Sequence, residues 1–246
     1  MRYFLHLAYN GASYCGWQRQ PNALGVQQVI EDALTTVLRT PVPIVGAGRT
    51  DAGVHAACMY AHFDTEAPIA DSTSFLRSLN HLCGKDIAIY DLIAVAPDAH
   101  ARFDAVARTY KYYVSPCKTP FMYPYCWILP GKIDYEAMNR AAAILQDTDD
   151  FTSFAKLHSD AKTNICRVTQ AHWQKEGDLW VFTITADRFL RNMVRAVVGT
   201  LIEVGRGKLT IDSFREVIAA RNRCEAGASV PPQALFLYGI SYPYLP

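Results

Sequence analysis

Residues 48–56 read Gly-Arg-Thr-Asp-Ala-Gly-Val-His-Ala, between two segments whose residues predict strands at 42–48 and 56–64. The glycines favour a turn, and a turn at the end of a strand places side chains at the rim of a sheet. Arg49 and Asp51 are two residues apart, so an extended backbone directs them to the same side. A carboxylate supported by a cation suits chemistry, although a polar loop with a local ion pair also accounts for the segment.

The segments on either side of this turn follow a regular order. A glycine-rich stretch at 10–21, predicted to be a mobile loop, separates a first strand from a first helix. The predicted elements are a strand at 2–9, a helix at 25–39, strands at 42–48 and 56–64, a helix at 72–83 and a strand at 87–96. The order β-α-β-β-α-β is that of a ferredoxin-like domain.

The second half of the chain nearly repeats this order. Its predicted elements are a strand at 107–115, a helix at 134–146, strands at 165–175 and 179–186, helices at 188–204 and 211–220, and a strand at 235–242. The sequence therefore predicts an α+β fold of two ferredoxin-like (βαββαβ) halves, residues 1–105 and 106–246, with a basic catalytic groove between them.

Composition restricts the class of protein only loosely. The 246 residues carry a formal charge of +1, but residues 1–105 hold 7 Lys/Arg against 10 Asp/Glu and residues 106–246 hold 17 against 13. A basic second half favours a phosphate-bearing partner if its charges cluster. The seven cysteines are scattered, which predicts reduced thiols. The N-terminus lacks a signal-peptide pattern, which predicts a cytoplasmic protein. No apolar run approaches 18 residues, so no membrane partner is expected.

Two further segments combine arginines with apolar or aromatic residues. In the predicted helix 188–204, Arg188, Arg191 and Arg195 recur at i, i+3 and i+7 and form one basic stripe. Arg195 lies in the most apolar turn, so it is expected to be paired, either in a structural salt bridge or with Asp51 across the groove. Arg102 precedes a tyrosine-rich strand that contains Arg108 and Tyr110. Tyr110 is a candidate for stacking on a base, although tyrosine is also simply favoured in strands.

These segments together resemble the motifs of the tRNA pseudouridine synthase A (TruA) family. Gly48–Ala56 resembles the signature in which the aspartate is catalytic, which implies that role for Asp51. The run from Arg188 to Gly199 resembles the motif whose helix arginine pairs with that aspartate, here Arg195. Tyr110 matches the tyrosine that stacks on the target uracil. Asn10 and Ala234 depart from the family pattern, at positions where an acidic residue and a glycine are usual.

The resemblance implies a function and a set of partners. The family converts uridine to pseudouridine at about positions 38 to 40 of the tRNA anticodon arm and acts as a homodimer. Arg49 would fill the space left by the flipped base or hold a phosphate, and Arg102, Arg108, Arg188 and Arg191 would contact RNA phosphates. Asp51 would either attack the nucleotide or abstract a ribose proton, and the sequence leaves both routes open.

No metal or cofactor is expected, because the chain lacks H-x-x-x-H, H-E-x-x-H, Walker and G-x-G-x-x-G motifs. Two alternatives remain at this point. A non-catalytic RNA-binding module would use the basic and aromatic residues but would not need Asp51. An aspartate-dependent hydrolase would need a metal site or a second carboxylate, and neither is visible near Asp51 in the sequence.

Overall fold

A computed structural model describes residues 1–156 and 162–245. The chain divides into two compact units: unit 1 is Met1–Val106 with Phe236–Pro246, and unit 2 is Ala107–Leu235. The first boundary lies one residue from the predicted one. The assignment of the last eleven residues to the second half is wrong, because those residues complete unit 1.

The fold class is α+β, as predicted. In chain order the elements are β1 (Arg2–Tyr9), α1 (Val26–Leu38), β2 (Val45–Gly46), β3 (His55–Asp64), α2 (Ser72–Leu82), β4 (Ile87–Val95), β5 (Ala107–Ser115), β6 (Trp127–Ile128), α3 (Tyr135–Ile144), β7 (Val168–Glu176), β8 (Leu179–Ala186), α4 (Met193–Gly205), α5 (Ile211–Ala219) and β9 (Leu235–Ser241). None of the helices in the described ranges is both long and apolar enough to cross a membrane.

Unit 1 contains two interlocked split βαβ motifs. β1 pairs antiparallel with β3 on one side and with β4 on the other, and β2 pairs antiparallel with β3. β1 and β2 are therefore parallel with β3 between them, and β3 and β4 are parallel with β1 between them. This is the arrangement expected for the order β-α-β-β-α-β. Alternate residues of β1 (Tyr3, Leu5, Leu7 and Tyr9) are buried, as their spacing predicts.

The strand predicted at 42–48 is much shorter in the structure. Val45 and Gly46 pair with β3 and the Ala47 amide donates to the Tyr60 carbonyl at 2.8 Å, whereas the buried residues Val42 and Ile44 lie outside the strand. Pro41 and Pro43 explain the difference, because proline has no backbone N–H to donate to a neighbouring strand. The segment therefore packs as apolar chain and forms a ladder only after the second proline.

Unit 2 contains its own split βαβ. β5 and β7 each pair antiparallel with β8, so they run parallel to each other with β8 between them, and α3 connects them in sequence. Helix α4 supplies most of the helical core, since eleven of its residues, from Met193 to Gly205, are buried. A helix that is apolar on nearly all sides belongs in a core rather than on a surface.

Strand β9 explains why the C-terminal segment belongs to unit 1. It runs parallel to β3 with His55 opposite Phe236, and the imidazole of His55 stacks on the Phe236 ring at a centroid distance of 4.5 Å. The amide of Val106 donates to the Ser241 carbonyl at 2.9 Å. The Tyr242 hydroxyl donates to the carbonyl of Ala101. These contacts hold both ends of the returning segment against residues between 55 and 106.

A small aromatic cluster underlies this junction. Phe4, Ala101 and Tyr242 are buried together, and His62 lies beside them with 5% of its surface exposed. The Nδ1 atom of His62 accepts a hydrogen bond from the Ala101 amide at 3.1 Å. Burial lowers the pKa of His62 to about 4, and the positive charges of His100 and Arg2 act in the same direction. His62 is therefore neutral at physiological pH, and its role as an acceptor requires that state.

We expect acid to destabilise unit 1 through His62. The folded pKa lies below the ordinary value of 6.5, so this contribution is complete above pH 6.5 and is lost as the pH falls toward 4. The loss amounts to about 3 kcal/mol as an order of magnitude. Urea unfolding of the wild type and of His62→Asn, which keeps an acceptor but does not titrate, measures it. Stability that falls equally in both proteins between pH 6.5 and 4 would contradict the assignment to His62.

Candidate active site

Asp51 lies in a tight turn that leads into β3. Its carbonyl oxygen accepts a hydrogen bond from the Val54 amide at 3.1 Å, and Gly53 within the turn has φ of 76°. A positive φ is easily adopted by glycine and strained for other residues, so Gly53 is required by this geometry. Asp51 is half-buried and Arg49 is exposed. The turn therefore presents a carboxylate on a backbone that is fixed from within.

The segment before α1 holds this turn in place. The Tyr9 hydroxyl and Thr50 Oγ1 share a buried hydrogen bond of 2.9 Å, the Trp17 amide donates to the Thr50 carbonyl at 3.3 Å, and the Gly53 amide donates to the Tyr14 carbonyl at 3.2 Å. Gly16 has φ of 87°, and a Cβ at that position would overlap the Thr50 carbonyl oxygen. The stretch predicted to be a mobile loop is in fact packed tightly against the residues flanking Asp51.

The opposite side of the turn is anchored by His55, the first residue of β3. Its side chain is buried, and its Nδ1 atom accepts a hydrogen bond from the Gly11 amide at 3.1 Å. Asn10, which departs from the family pattern, caps the 3₁₀ turn Gly11–Ser13 by accepting from the Ala12 amide at 3.1 Å. An asparagine oxygen thus performs the capping that a carboxylate would perform, and this departure leaves the local backbone intact.

Arg102 is displayed on a second fixed turn of unit 1. The Asp104 carboxylate accepts hydrogen bonds from the His100 amide at 2.7 Å and from the Tyr244 hydroxyl at 2.8 Å. These contacts, and the His100 amide most strongly, hold the pKa of the Asp104 carboxyl below its usual range. Nδ1 of His100 accepts from the amides of Arg102 and Phe103. The Arg102 guanidinium lies 5.7 Å from the centroid of the Phe103 ring, which is 75% exposed. The turn therefore offers a cation beside an exposed ring.

In unit 2 the structure brings Arg108 and Tyr110 together with the segment after β8. Arg108 Nη1 donates to the Asp187 carbonyl at 2.7 Å, and the Tyr110 ring meets Phe189 edge-on at 5.0 Å. Both residues are half-buried, whereas Tyr112, two residues further along β5, is fully buried and donates to the Pro231 carbonyl. Only the first part of this strand face is available to a ligand.

The predicted helical stripe of three arginines is wrong. Helix α4 begins at Met193, so Arg188 and Arg191 precede it and only Arg195 lies on it. The cause is Asn192, whose φ of 65° is left-handed and interrupts helical geometry. The Asp187 carboxylate also binds the amides of Arg167 and Arg188, which holds the preceding segment as a loop. Arg191 is exposed and Arg188 is half-buried.

Arg195 is held by a strap at residues 226–231. Its Nε atom donates to the Val230 carbonyl at 2.7 Å, and the Val230 amide donates back to the Arg195 carbonyl at 3.2 Å. The strap approaches α4 closely at Gly199, where a Cβ would overlap the Ala228 carbonyl oxygen. The Gly227 amide donates to Thr200 Oγ1 at 2.9 Å. The orientation of the arginine is therefore set by backbone that is distant in sequence.

Sequence reasoning did not identify the residues that hold these groups. Tyr9, Thr50 and His55 support the Asp51 turn, and Ser229 and Val230 support the start of α4. His55 and Thr50 belong to the quoted signature, so their place in the motif was visible although their buried roles were not. Across the described ranges, no group of three or more His, Cys, Asp or Glu side chains is arranged to hold a metal ion.

Comparison with known proteins identifies the family. Residues 141–243 match a family model described as tRNA pseudouridine synthase. A protein of Parabacteroides distasonis called tRNA pseudouridine synthase A is 62% identical over 242 residues, which cover 98% of this chain and 96% of the relative. Proteins of the same name from Bacteroides thetaiotaomicron and Geobacter sp. are 57% and 38% identical, covering 98% and 97% of this chain and 91% and 98% of the relatives.

At this identity and coverage, the chain belongs to the tRNA pseudouridine synthase A family. The resemblance inferred from the short motifs is confirmed over nearly the whole length.

Proposed function

We propose that this protein converts uridine to pseudouridine in the anticodon stem-loop of tRNA, at about positions 38 to 40, with Asp51 as the catalytic residue. The observation that carries the proposal is the near full-length identity to proteins called tRNA pseudouridine synthase A. The reaction breaks the bond between uracil N1 and the ribose and forms a bond from C5 to the ribose. C5 loses a proton and N1 gains one, so no oxidant or group donor is consumed.

The proposed chemistry uses an ionised Asp51 on a rigid turn. A target base inside a stem has to leave the stack before its glycosidic bond can be reached, at a cost of about a few kcal/mol. Arg49, two residues from Asp51, fills the vacated space or holds a neighbouring phosphate. A carboxylate on a fixed backbone loses little conformational freedom when the substrate binds, so little entropy is lost in positioning it. Both proposed routes, attack on the nucleotide and abstraction of a ribose proton, benefit from this positioning.

RNA binding is proposed to involve the cations described in each unit. Arg102 lies beside the exposed Phe103 ring in unit 1, and Arg108 lies near Tyr110 in unit 2. Arg188 and Arg191 are proposed to act from the loop before α4 rather than from a helical stripe. Arginines beside aromatic rings suit RNA, because the cation binds phosphate while a ring stacks on an unpaired base. We further propose that the protein is a cytoplasmic homodimer. Light scattering would measure the mass of the particle in solution.

The experiment that tests the function is incubation of the purified protein with an unmodified tRNA transcript, followed by mapping of pseudouridine. We expect modification within about positions 38 to 40. An RNA-binding module would bind the transcript and leave it unmodified. A hydrolase would release a fragment or a free base. Either outcome would overturn the proposed reaction.

Tyr110 is expected to contribute both a ring and a hydroxyl. Tyr110→Phe keeps the edge-on contact with Phe189, so tRNA affinity should stay within about twofold. If the hydroxyl moves a proton, the single-turnover rate should fall by at least about tenfold. Tyr110→Ala should lose affinity as well. Tyr113→Phe, the same change on the other face of β5, is the matched control, and a normal rate in Tyr110→Phe would leave stacking as the only role.

Arg195 is proposed to pair with Asp51 and to hold the carboxylate in place for the reaction. Arg195→Gln removes the cation, so the single-turnover rate of pseudouridine formation should fall by at least about tenfold because the carboxylate loses its position. Arg195→Lys, which keeps the charge, should lose less of the rate. A wild-type single-turnover rate in Arg195→Gln would exclude the pairing.

A further inference from the structure

Unit 2 has a depression of about 460 Å³ at the far end of α4, away from Arg195. Its walls come from the start of α3, the end of α4 and the start of α5. Three of the residues that line it are cations, Lys132, Arg140 and Arg206, and all three are exposed. The sequence motifs give no role to any of them.

The charges around the depression are poorly compensated. In the part of the chain that the structure describes, neither Lys132 nor Arg140 has an ion-pair or hydrogen-bond partner for its side chain. Arg206 approaches Glu203 at 3.7 Å, and Glu203 also binds Lys208 at 3.3 Å. The one lining carboxylate, Asp134, caps α3 by accepting from the Ala137 amide at 2.8 Å. The lining therefore keeps a net positive charge.

The backbone adds to this potential. Helices α3, of ten residues, and α5, of nine, both begin at the depression, with Asp134 and Thr210 as their N-caps. The N-terminus of a helix carries a partial positive charge, which Glu136 in the first turn of α3 and Asp212 in the first turn of α5 offset only in part. Exposed cations are usually only solvated, but here two cations without partners and two helix starts face one concave surface.

We propose that this depression binds a backbone phosphate of the tRNA, outside the nucleotide that reacts. The proposal rests on the proposed function, which supplies the polyanion. Arg195 and Gly205 are ten residues apart on α4, so the depression lies about 15 Å from the base of the Arg195 side chain. That distance corresponds to several nucleotides of a helical strand. A phosphate held there would orient the tRNA without taking part in the chemistry.

The test compares two variants of equal charge. Lys132→Gln combined with Arg140→Gln removes the cations without partners, and Lys118→Gln combined with Lys175→Gln removes two exposed cations elsewhere in unit 2. Binding of tRNA is measured over a range of salt concentrations. The first variant should lower the slope of log affinity against log salt by about 0.7 to 0.9, the change expected for one lost phosphate contact, and the second should leave it close to that of the wild type. The single-turnover rate at saturating enzyme should be unchanged in both.

Equal slopes for the two variants would overturn the inference, because any loss of tRNA affinity would then depend on the total charge of the protein and not on the position of the cations. A free phosphate is the other source of the same chemistry, and it is tested with inorganic phosphate as the probe. If inorganic phosphate raises the melting temperature of the wild type but not of the first variant, and the tRNA slopes are equal, the depression is a small-anion site and the RNA contact is wrong. Binding does not require turnover, so the slopes decide this inference separately from the mapping of pseudouridine.

Discussion

Replacing Asp51 with asparagine should abolish pseudouridine formation while leaving tRNA affinity within a few-fold of the wild type. Asparagine has nearly the size of aspartate, and the substitution leaves in place the backbone carbonyl of residue 51 that accepts from the Val54 amide. The variant should therefore fold and lose the carboxylate charge. The single-turnover rate is expected to fall by at least about a thousandfold, the scale seen when a catalytic nucleophile or base is removed.

The measurement is the rate of pseudouridine formation at saturating enzyme, together with tRNA binding by filter retention or anisotropy. Asp32→Asn is the matched control, because it removes one exposed carboxylate from α1 in the same unit. We expect that control to turn over at the wild-type rate. Substantial turnover by Asp51→Asn would rule out the central assignment.

The second large effect is expected at Gly16, which carries no chemistry. Alanine at this position would have to adopt φ of 87° with its Cβ overlapping the Thr50 carbonyl oxygen. The strained backbone alone costs about 1 to 3 kcal/mol, and the overlap adds to it unless the segment moves away. Because Thr50 precedes Asp51, movement of this segment displaces the carboxylate. Both the melting temperature and the rate of turnover should fall.

Gly48→Ala, in the signature that contains Asp51, provides a matched glycine-to-alanine comparison. A Cβ on Gly48 would meet nothing within 4 Å, and its φ is not positive, so the melting temperature should change little. If Gly16→Ala proves insoluble, Tyr9→Phe removes the hydroxyl that shares a buried hydrogen bond with Thr50 and tests the same support with a smaller change. Equal melting temperatures for Gly16→Ala and Gly48→Ala would show that packing of the 10–17 segment does not hold the turn.

The local elements of the fold were predictable because their causes are local. Alternation along 2–9 and 107–115 and the apolar spacing of 25–39 give β1, β5 and α1 within a residue or two. The partner of β9 was not predictable, since the same alternation fits any strand, and its pairing with β3 depends on residues far away in sequence. The left-handed conformation of Asn192 was also invisible, and it moved the start of α4 by five residues from the prediction.

The candidate site was predictable where a short motif identifies a residue. It was not predictable where the residue is held in place by side chains or backbone distant in sequence. Asp51, Tyr110 and Arg195 were selected from short segments that resemble the family. The support of Thr50 by Tyr9 and of Arg195 by Val230 joins residues separated by 41 and 35 positions. A glycine-rich stretch suggested mobility, yet at Gly11 and Gly16 the missing side chain permits close packing of backbone against the turn.

The return of β9 to unit 1 has a consequence for synthesis of the protein. Unit 2 is continuous in the chain, but unit 1 lacks a strand until residues 236–245 have been translated. At about 5 to 20 residues per second, the ribosome needs roughly 6 to 26 s to make residues 107–235. During that interval the edge of β3 at His55 has no parallel partner and no Phe236 ring beside it. An open strand edge in a nascent chain can pair with the wrong strand. The strand that follows the Asp51 turn is therefore among the last parts of the enzyme to gain all of its native contacts.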